Sequence, residues 1–245
     1  HDDRAVANEY LATLRKLFPH SEVMTRVVVG SEPATAILEE AARGYDLIVV
    51  GASEQSTGGG GVFNTVIDTI VRAAPCPTMV IRGESFKDHF PLKRILVPTS
   101  GSAASRTAAE LAFMLAHGTN AQVILLNVCE RDPNPLREMG APEARALRME
   151  AAREGMQSLA ELAATHEVAV EQLVEFAGSV EDEVLRQVDV RSIDLLVLGS
   201  DVMVGTNRLY LGPRVERMLF GARCPEHCGI KKRVVPQNWL GGVYR

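Results

Sequence analysis

The chain contains one stretch twice, and this repetition restricts the possible folds more than any other feature. Residues 193–225 read IDLLVLGSDVMVGTNRLYLGPRVERMLFGARCP, and residues 45–77 read YDLIVVGASEQSTGGGGVFNTVIDTIVRAAPCP. The two copies align without a gap at an offset of 148 residues. The matched pairs include Asp46 with Asp194, Gly51 with Gly199, Asp68 with Glu216, Cys76 with Cys224 and, upstream, Gly30 with Gly178. A register kept over this distance indicates a duplicated unit.

Each copy predicts a buried strand, then a loop, then a helix. The apolar runs LIVVG and LLVLG are typical of strands covered on both faces in a parallel sheet. Apolar residues then recur every three or four positions, as in a helix, and Cys-Pro ends both helices because proline cannot continue one. Further strands are predicted at residues 21–31, 78–83, 95–97, 121–128 and 170–179. Strands that alternate with helices predict a mostly parallel, doubly wound α/β sheet.

The repeat also predicts the domain organisation. We expect a partial domain at 1–83, a linker at 84–92, a complete domain at 93–233 and a C-terminal arm at 234–245. At the offset of 148, residues 93–148 have no counterpart in the first repeat. We therefore expect the first domain to be truncated at its N-terminus and the chain to be a piece of something longer. The arm is expected to pack on its own domain, with a crossing to a partner chain as the alternative.

Composition excludes several classes of protein. The net charge of −5, without a basic stripe, argues against binding of nucleic acid. Four cysteines in 245 residues do not form a disulfide framework and fit a reducing, cytoplasmic setting. No apolar run approaches the ~20 residues that span a bilayer, and no signal peptide is visible. We therefore predict a cytoplasmic location.

Four segments of the second repeat resemble the universal stress protein (UspA) family. They are ILVPTSGS at 95–102, VEFAGSVEDEVL at 174–185, IDLLVLGS at 193–200 and LGPRVERMLFGARCP at 211–225. The resemblance covers 93 to about 230 and, as a partial domain, 1–83. It implies two tandem flavodoxin-like domains of the adenine nucleotide alpha hydrolase-like type, which pair through their last strands. It also implies a homodimer or an intramolecular pseudo-dimer, and no catalytic machinery.

One branch of this family binds ATP with a loop of the form G-x2-G-x9-G-[ST]. In such a loop the glycines let backbone amides approach phosphates, and the hydroxyl and the helix N-terminus receive negative charge. Carried onto this sequence, the candidate nucleotide-binding residues are Gly51 and Thr65 in the first repeat, and Ser100, Gly101, Ser102, Gly199, Ser200 and Gly212 in the second. Ser100 to Ser102 follow a strand and precede a helix, where open α/β sheets bind ligands. Ser102 is also a good N-cap, and the two roles are compatible.

Both copies depart from the ATP loop. Glu54 and Asn64 stand at its second and third glycines in the first repeat, and Val202 and Pro213 replace its second glycine and its hydroxyl in the second. Ser100 stands where the nucleotide-binding branch favours aspartate. Pro213 removes an N–H donor, and Glu54 would place a carboxylate near phosphates. ATP or another adenine nucleotide is therefore the candidate ligand, with classical ATP binding expected to be impaired.

The residues present predict neither a metal site nor a catalytic site. Cys224, His227 and Cys228 are too few for a structural zinc site, and we predict no metal. The Gly58–Gly61 run is read as a flexible loop tip, with a phosphate cradle of altered register as the alternative. His20, His89, His117 and His166 lie at predicted helix ends or in the linker and are read as solvated or capping residues, and we assign no catalytic residue. The chain is therefore predicted not to be an enzyme.

Three hypotheses for the function follow. The first is a regulatory or sensory module, which would be the cytoplasmic tail of a membrane transporter. Residues 98–112, PTSGSAASRTAAELA, are similar to the start of such tails in bacterial cation/proton antiporters. The module would then lie at the cytosolic face of the inner membrane, covalently attached to a transport domain. The alternative is a free-standing cytosolic tandem protein that binds ATP or AMP. The third hypothesis is an enzyme that hydrolyses ATP. The absence of a candidate general base and the altered ATP loops argue against it.

Overall fold

The computed structural model describes residues 3–16, 18–30, 32–52, 63–82, 92–134, 142–200, 211–222 and 233–237. Within these ranges the helices are α1 (Asp3–Arg15), α2 (Pro33–Ala41), α3 (Thr65–Ala73), α4 (Ala103–Thr119), α5 (Pro142–Thr165), α6 (Val180–Val190) and α7 (Pro213–Gly221). The strands are β1 (Ile48–Ala52), β2 (Thr78–Arg82), β3 (Arg94–Pro98), β4 (Gln122–Glu130), β5 (Val170–Ala177), β6 (Leu195–Val197) and β7 (Arg233–Gln237).

The strands form one sheet in the order β1-β2-β7-β6-β3-β4-β5. Every neighbouring pair is parallel except β2 and β7, which are antiparallel. Helices cover both faces of the second repeat: α4 and α5 share one buried apolar cluster with the sheet, and α6 and α7 share another. The predicted doubly wound α/β fold is therefore confirmed.

Strand β3 lies at the centre of the second repeat because its sequence suits burial on both faces. Ile95 and Val97 pack into the cluster under α4, and Leu96 packs into the cluster under α6. All three side chains are fully buried. Helix α4 turns a row of small residues toward the sheet: Ala108, Ala109, Ala112 and Ala116. These short side chains let the helix lie close to β3, so its first turn comes near the ends of the neighbouring strands.

The two repeats meet through their last strands. Met79 lies opposite Pro236 in the antiparallel pair of β2 and β7, as the resemblance implied. Apolar side chains of α3 and α7 share a further cluster that includes Ile67 and Leu219. Our boundary between the second domain and the C-terminal arm needs correction, because residues 233–237 form a strand inside the sheet.

The strand predicted at residues 21–31 is wrong. Residues 22–29 are described but belong to no strand, and Met24 and Val29 are 83% and 71% exposed. At the offset of 148 their counterpart is β5, which pairs with β4 over its whole length. No strand of the described residues lies beside 22–29, so the backbone has no ladder to join. β-branched composition indicates a strand only where a neighbour can pair with it.

Candidate functional site

The carboxyl ends of β3 and β6 form the candidate site. Strand β3 leads through α4 to β4 on one side, whereas the chain returns through α6 to β6 on the other side. The order of strands therefore reverses between β3 and β6, and ligands of open α/β sheets bind in the crevice at such a point. Thr99 to Ser102 follow β3 here, and Leu198 to Ser200 follow β6.

The turn after β3 is lined with hydroxyl groups that bond to one another. Ser102 Oγ accepts the N–H of Ser105 at 3.2 Å and so caps α4, as predicted. Ser100 Oγ donates to Ser102 Oγ at 3.2 Å. Gly101 has a φ of +79°, in the left-handed region that favours glycine. The residues of this turn with hydroxyl groups form hydrogen bonds to other described residues, and none of those partners is a histidine or a carboxylate. The residues concerned are Thr99, Ser100, Ser102 and Ser105.

The main chain of this turn is tied to the neighbouring strand. Thr99 N–H donates to the carbonyl of Leu126 at 2.8 Å, and Asn127 Nδ2 donates to the carbonyl of Thr99 at 2.9 Å. Asn127 belongs to β4 and was not predicted as part of the site. These contacts hold the Ser100–Ser102 turn in place independently of any ligand.

Gly199 is required by packing. A β carbon at this position would lie 2.1 Å from the carbonyl oxygen of Ala104 and 2.8 Å from the nitrogen of Ser105. The first turn of α4 therefore presses directly on the end of β6. The adjacent Ser200 is buried, and its hydroxyl donates to the carbonyl of Leu211 at 3.0 Å. Gly199 and Ser200, which were both predicted as site residues, lie at the crevice. Gly199 lets α4 lie close to β6, and Ser200 bonds to Leu211 ahead of α7.

The N-terminus of α7 already has an anionic partner. Gly212 precedes the helix with a φ of +88° and offers no side-chain cap. The N–H of Leu211 instead donates to Glu216 Oε1 at 3.3 Å. A carboxylate of the protein thus already occupies this backbone donor. Glu216 was not predicted as a site residue. Its match with Asp68 in the aligned repeats was the sequence signal that could have pointed to it.

A second set of charges lies beside α7. Arg214 reaches both oxygens of Glu130, at 2.8 and 2.9 Å, and lies 3.7 Å from Glu181. The hydrogen bond to Glu130 is the main cause that raises the pKa of Arg214. Burial would raise the pKa of Glu181, but the backbone N–H, the Ser179 hydroxyl and Arg214 together lower it. An anion bound here would compete with both carboxylates for the guanidinium.

Within the described residues, the first repeat does not show the same crevice. Among them β1 has a neighbouring strand on one side only, and no turn like that of Ser100–Ser102 lies beside Gly51. Gly51 is exposed, and a β carbon there would meet nothing within 4 Å. Thr65 is exposed at the start of α3, and Asn64 caps that helix by accepting the N–H of Ile67 at 2.9 Å. Asn64 therefore has a structural role where the ATP loop has glycine.

Several predicted features lie outside the described residues. These are Glu54, the Gly58–Gly61 run, Val202 and the group Cys224, His227 and Cys228. Among the residues that the structure does describe, no group of three or more histidine, cysteine, aspartate or glutamate side chains could hold a metal ion. In the same ranges, no helix combines the length and apolar character that crossing a membrane requires.

The fold defines the class as a doubly wound α/β protein with polar turns at the carboxyl ends of its strands. The model of the universal stress protein family matches residues 1–82 and 91–227, and the chain belongs to this family. A universal stress protein of Methanocaldococcus jannaschii is 29% identical over 140 residues, which cover 54% of this chain and 79% of that protein.

Some solved structures match nearly the whole chain. A putative universal stress protein from Pseudomonas aeruginosa has a TM-score of 0.60 at 18% identity and covers 97% of this chain and 79% of its own. A universal stress protein from Archaeoglobus fulgidus has a TM-score of 0.59 at 15% identity, with coverages of 95% and 78%. At these identities the likeness concerns the fold alone.

Proposed function

We propose that the chain is a tandem, non-catalytic regulatory module that responds to an adenine nucleotide at the crevice of its second repeat. The observation that carries the proposal is the arrangement around the switch point. The Ser100–Ser102 turn, Gly199, Ser200 and Gly212 come from separate parts of the chain that meet there through bonds such as that of Ser200 to Leu211. The serine hydroxyls bond to one another and to the main chain, which suits reversible binding better than catalysis.

The same geometry supports weak binding. Glu216 holds the N–H of Leu211, and Glu130 holds Arg214, so a phosphate must displace two carboxylates of the protein. Displacement would free Leu211 and α7 to move. A ligand that binds one arrangement better than another shifts the balance between them, which is how a sensor works. The site therefore favours a response to ligand over tight storage of it.

Calorimetric titration tests this proposal. We expect ATP, ADP, AMP or cyclic AMP to bind more weakly than micromolar to the unmodified protein. Glu216→Gln should tighten ATP binding roughly tenfold, because one carboxylate near the phosphates is removed. The matched control is Asp68→Asn, its counterpart in the first repeat, which should leave the affinity unchanged. If no nucleotide gave a heat of binding with either the unmodified protein or Glu216→Gln, nucleotide sensing would be overturned. The chain would then be a module that acts through protein contacts.

We further propose that this module is the cytoplasmic regulatory domain of a membrane transporter such as a cation/proton antiporter. The support is the similarity of residues 98–112 to the start of such tails. The coding sequence upstream of His1 tests it: transmembrane helices there would support the attached transport domain at the cytosolic face of the inner membrane. A strand and a helix without them would favour the free-standing tandem protein that binds ATP or AMP.

The assembly is proposed to be an intramolecular pseudo-dimer rather than a homodimer. Its support is the antiparallel pair of β2 and β7, which uses the last strand of each repeat within one chain. Because this pair already occupies both strands, a second chain cannot add at the same place. Light scattering should give the mass of a single chain, and a mass of two chains would favour the homodimer.

A further inference from the structure

Strand β5 is an edge of the sheet, and its hydrogen bonds to β4 show which of its backbone groups face outward. Among the described residues β5 pairs with β4 alone. The carbonyls of Ala169 and Ala177 accept N–H groups from the side of β4, at 3.1 and 2.8 Å. Because the backbone groups of successive residues point in opposite directions along a strand, the odd-numbered residues of β5 bond to β4. The N–H and C=O groups of Gln172 and Val174 therefore point away from it, where a further strand could pair with them.

A groove of ≈750 Å³ lies beside this edge, between β5 and α5. Val174 lines it from the strand, and Met149 and the buried Met156 line it from the helix. Gln172 Nε2 donates to Gln157 Oε1 at 3.3 Å between the two elements. The residues whose backbone groups point outward are thus also those whose side chains line the groove. A strand added to β5 would cover the groove with its own side chains on the α5 face.

Charges of opposite sign lie toward the two ends of the groove on α5. Arg153, Gln157 and Glu161 are spaced by four residues and all line the groove, so they form one row along the helix. Arg153 and Glu161 each lie about one turn from Gln157, in opposite directions, and are about 12 Å apart along the axis. Neither forms an ion pair within the described part of the chain. The row is therefore complementary to a copy of itself that runs in the opposite direction.

We propose that the β5 edge and its groove bind a second copy of the chain about a twofold axis that passes beside Gln172 and Gln157. A twofold axis perpendicular to the sheet makes the two β5 strands antiparallel and places the two α5 helices on the same face. Gln172 then lies opposite the partner's Gln172 and exchanges both backbone hydrogen bonds with it. On the helices, Arg153 lies level with the partner's Glu161, so the interface contains two such ion pairs.

This register avoids like charges across the new ladder. Val170 lies opposite the partner's Val174, and Glu171 lies opposite the partner's Leu173. An axis one residue further along, at Leu173, would instead place Glu171 opposite the partner's Glu175 twice. Like charges directly opposite each other destabilise a strand pair, so the sequence of β5 favours the axis beside Gln172.

The two α5 helices would also lie at an ordinary packing distance. Helix α5 contacts both β4 and β5, so its axis lies about half a strand spacing inside the edge. Two helices placed in this way across strands about 4.8 Å apart are separated by about 10 Å, within the range of packed helices. Glu154, a further carboxylate of the groove, lies level with the partner's Ala160 and so opposite an uncharged side chain.

The association is expected to be weak and to leave the pairing within each chain unchanged. It adds one strand ladder and one helix contact, which is an interface of the small, transient class. We expect a dissociation constant of about 100 μM, so single chains dominate at the low micromolar concentrations at which light scattering is measured. The pair of β2 and β7 stays within each chain, since β6, β3 and β4 lie between it and β5.

Sedimentation equilibrium of the full chain between about 5 and 500 μM tests the proposal. Arg153→Glu and Glu161→Lys should each weaken self-association at least about tenfold, because each places two like-charge pairs in the interface. An equimolar mixture of the two variants should associate as the unmodified chain does, since both pairs across the axis are then attractive. Glu150→Lys, on the same helix but outside the groove, is the matched control and should change the dissociation constant by less than about twofold.

The mixture distinguishes this interface from a general effect of charge. Variants that stay apart when mixed, or that associate alone as well as the unmodified chain does, would overturn the twofold arrangement. If the unmodified chain showed only the mass of a single chain at about 500 μM, the second copy would be overturned as the occupant of the edge. Circular dichroism of each variant checks that it is folded.

A proline at the edge tests the strand ladder separately. The N–H of Gln172 points away from β4, so Gln172→Pro removes a donor of the added ladder and none of the existing one. It should weaken self-association at least about tenfold, whereas Gln172→Ala, which keeps the N–H, should remain within about threefold of the unmodified chain. Self-association that is unaffected by the proline would overturn pairing at β5. If the proline variant does not fold, hydrogen exchange of residues 170–176 in the unmodified chain replaces it: slower exchange at about 500 than at about 5 μM supports the ladder, and equal exchange contradicts it.

Discussion

Gly199→Ala should destabilise the protein strongly, whereas Gly51→Ala, its counterpart in the first repeat, should not. The new β carbon at 199 would lie 2.1 Å from the carbonyl oxygen and 2.4 Å from the carbonyl carbon of Ala104. Both are backbone atoms, so no side chain can rotate away, and β6 and α4 must separate by about 1 Å to restore ordinary contact. The first turn of α4 resists this movement because Ser102 caps it.

The magnitude follows from the cost of overpacking. Extra methylenes in a packed interior cost about 1–3 kcal/mol, and we expect about 3 kcal/mol here because the obstacle is main chain. For a protein of this length that lowers Tm by about 6–12 °C. At Gly51 a β carbon meets nothing within 4 Å. Alanine there should leave stability unchanged or raise it by up to about 1 kcal/mol, because glycine weakens a strand.

Urea denaturation followed by circular dichroism measures both variants beside the unmodified protein. The reasoning would be refuted if Gly199→Ala and Gly51→Ala had free energies of unfolding within about 0.5 kcal/mol of each other. In that case the close approach of α4 would not explain the glycine, and a role in ligand contact alone would remain. A difference of about 3 kcal/mol would show that packing against α4 is the reason for glycine at position 199.

Three further predictions follow from buried polar groups. Asp194→Ala should lower the free energy of unfolding by about 2–4 kcal/mol because the backbone N–H groups of Lys93 and Arg94, at the start of β3, lose their acceptor, whereas Asp46→Ala should change it by less than about 0.5 kcal/mol. The hydrogen bond from Arg186 is the main cause that lowers the pKa of Glu183, so its contribution to stability is complete above pH 4.5 and is lost as pH falls through the lower folded pKa. Burial raises the pKa of the Cys129 thiol, so iodoacetamide should alkylate it at least about tenfold more slowly in the folded than in the unfolded protein.

Each of these predictions has its own control. Equal losses of stability for Asp194→Ala and Asp46→Ala in urea would contradict the different environments of the two carboxylates. Glu183→Gln should flatten the acid limb of a stability–pH curve, and an unchanged limb would assign acid sensitivity to other groups. Mass spectrometry of tryptic peptides isolates the Cys129 rate from those of the other cysteines. Equal alkylation rates in folded and unfolded protein would contradict its burial.

Much of the fold could be predicted from the sequence because its information is local or repeated. The apolar run at 95–97 predicts a buried strand wherever it lies in a sheet, and the structure buries all three side chains. Ser102 predicts a helix start, and its hydroxyl caps α4. The offset of 148 identifies counterparts without knowledge of their contacts. These properties depend on neighbours a few residues away, which the sequence displays directly.

The site could be predicted only in part. Ser100, Ser102 and Ser200 do lie at the switch point, as their position after strands indicated. The sequence analysis missed Asn127, Arg214 and the acidic residues that bond to Arg214 and to the start of α7. Asn127 and Arg214 bond to residues more than 10 positions away in the chain. Glu216 acts at a helix end, and its residue type does not show which donor it accepts. A pattern of residue types does not reveal which donor is already occupied. In the function proposed above, that occupancy would decide how weakly a phosphate binds.

The sequence by itself determined the duplication, the alternation of strands and helices and the family. Only the tertiary structure decided what the matched residues do. Asp194 is buried and accepts the backbone N–H groups of Lys93 and Arg94, whereas Asp46 is exposed at an edge, although the sequence presents them as equivalent. Residues 22–29 have the composition of a strand but join none. The physical reason is the same in both cases: a backbone donor or acceptor gains its role from the strand beside it, and that neighbour is distant in the chain.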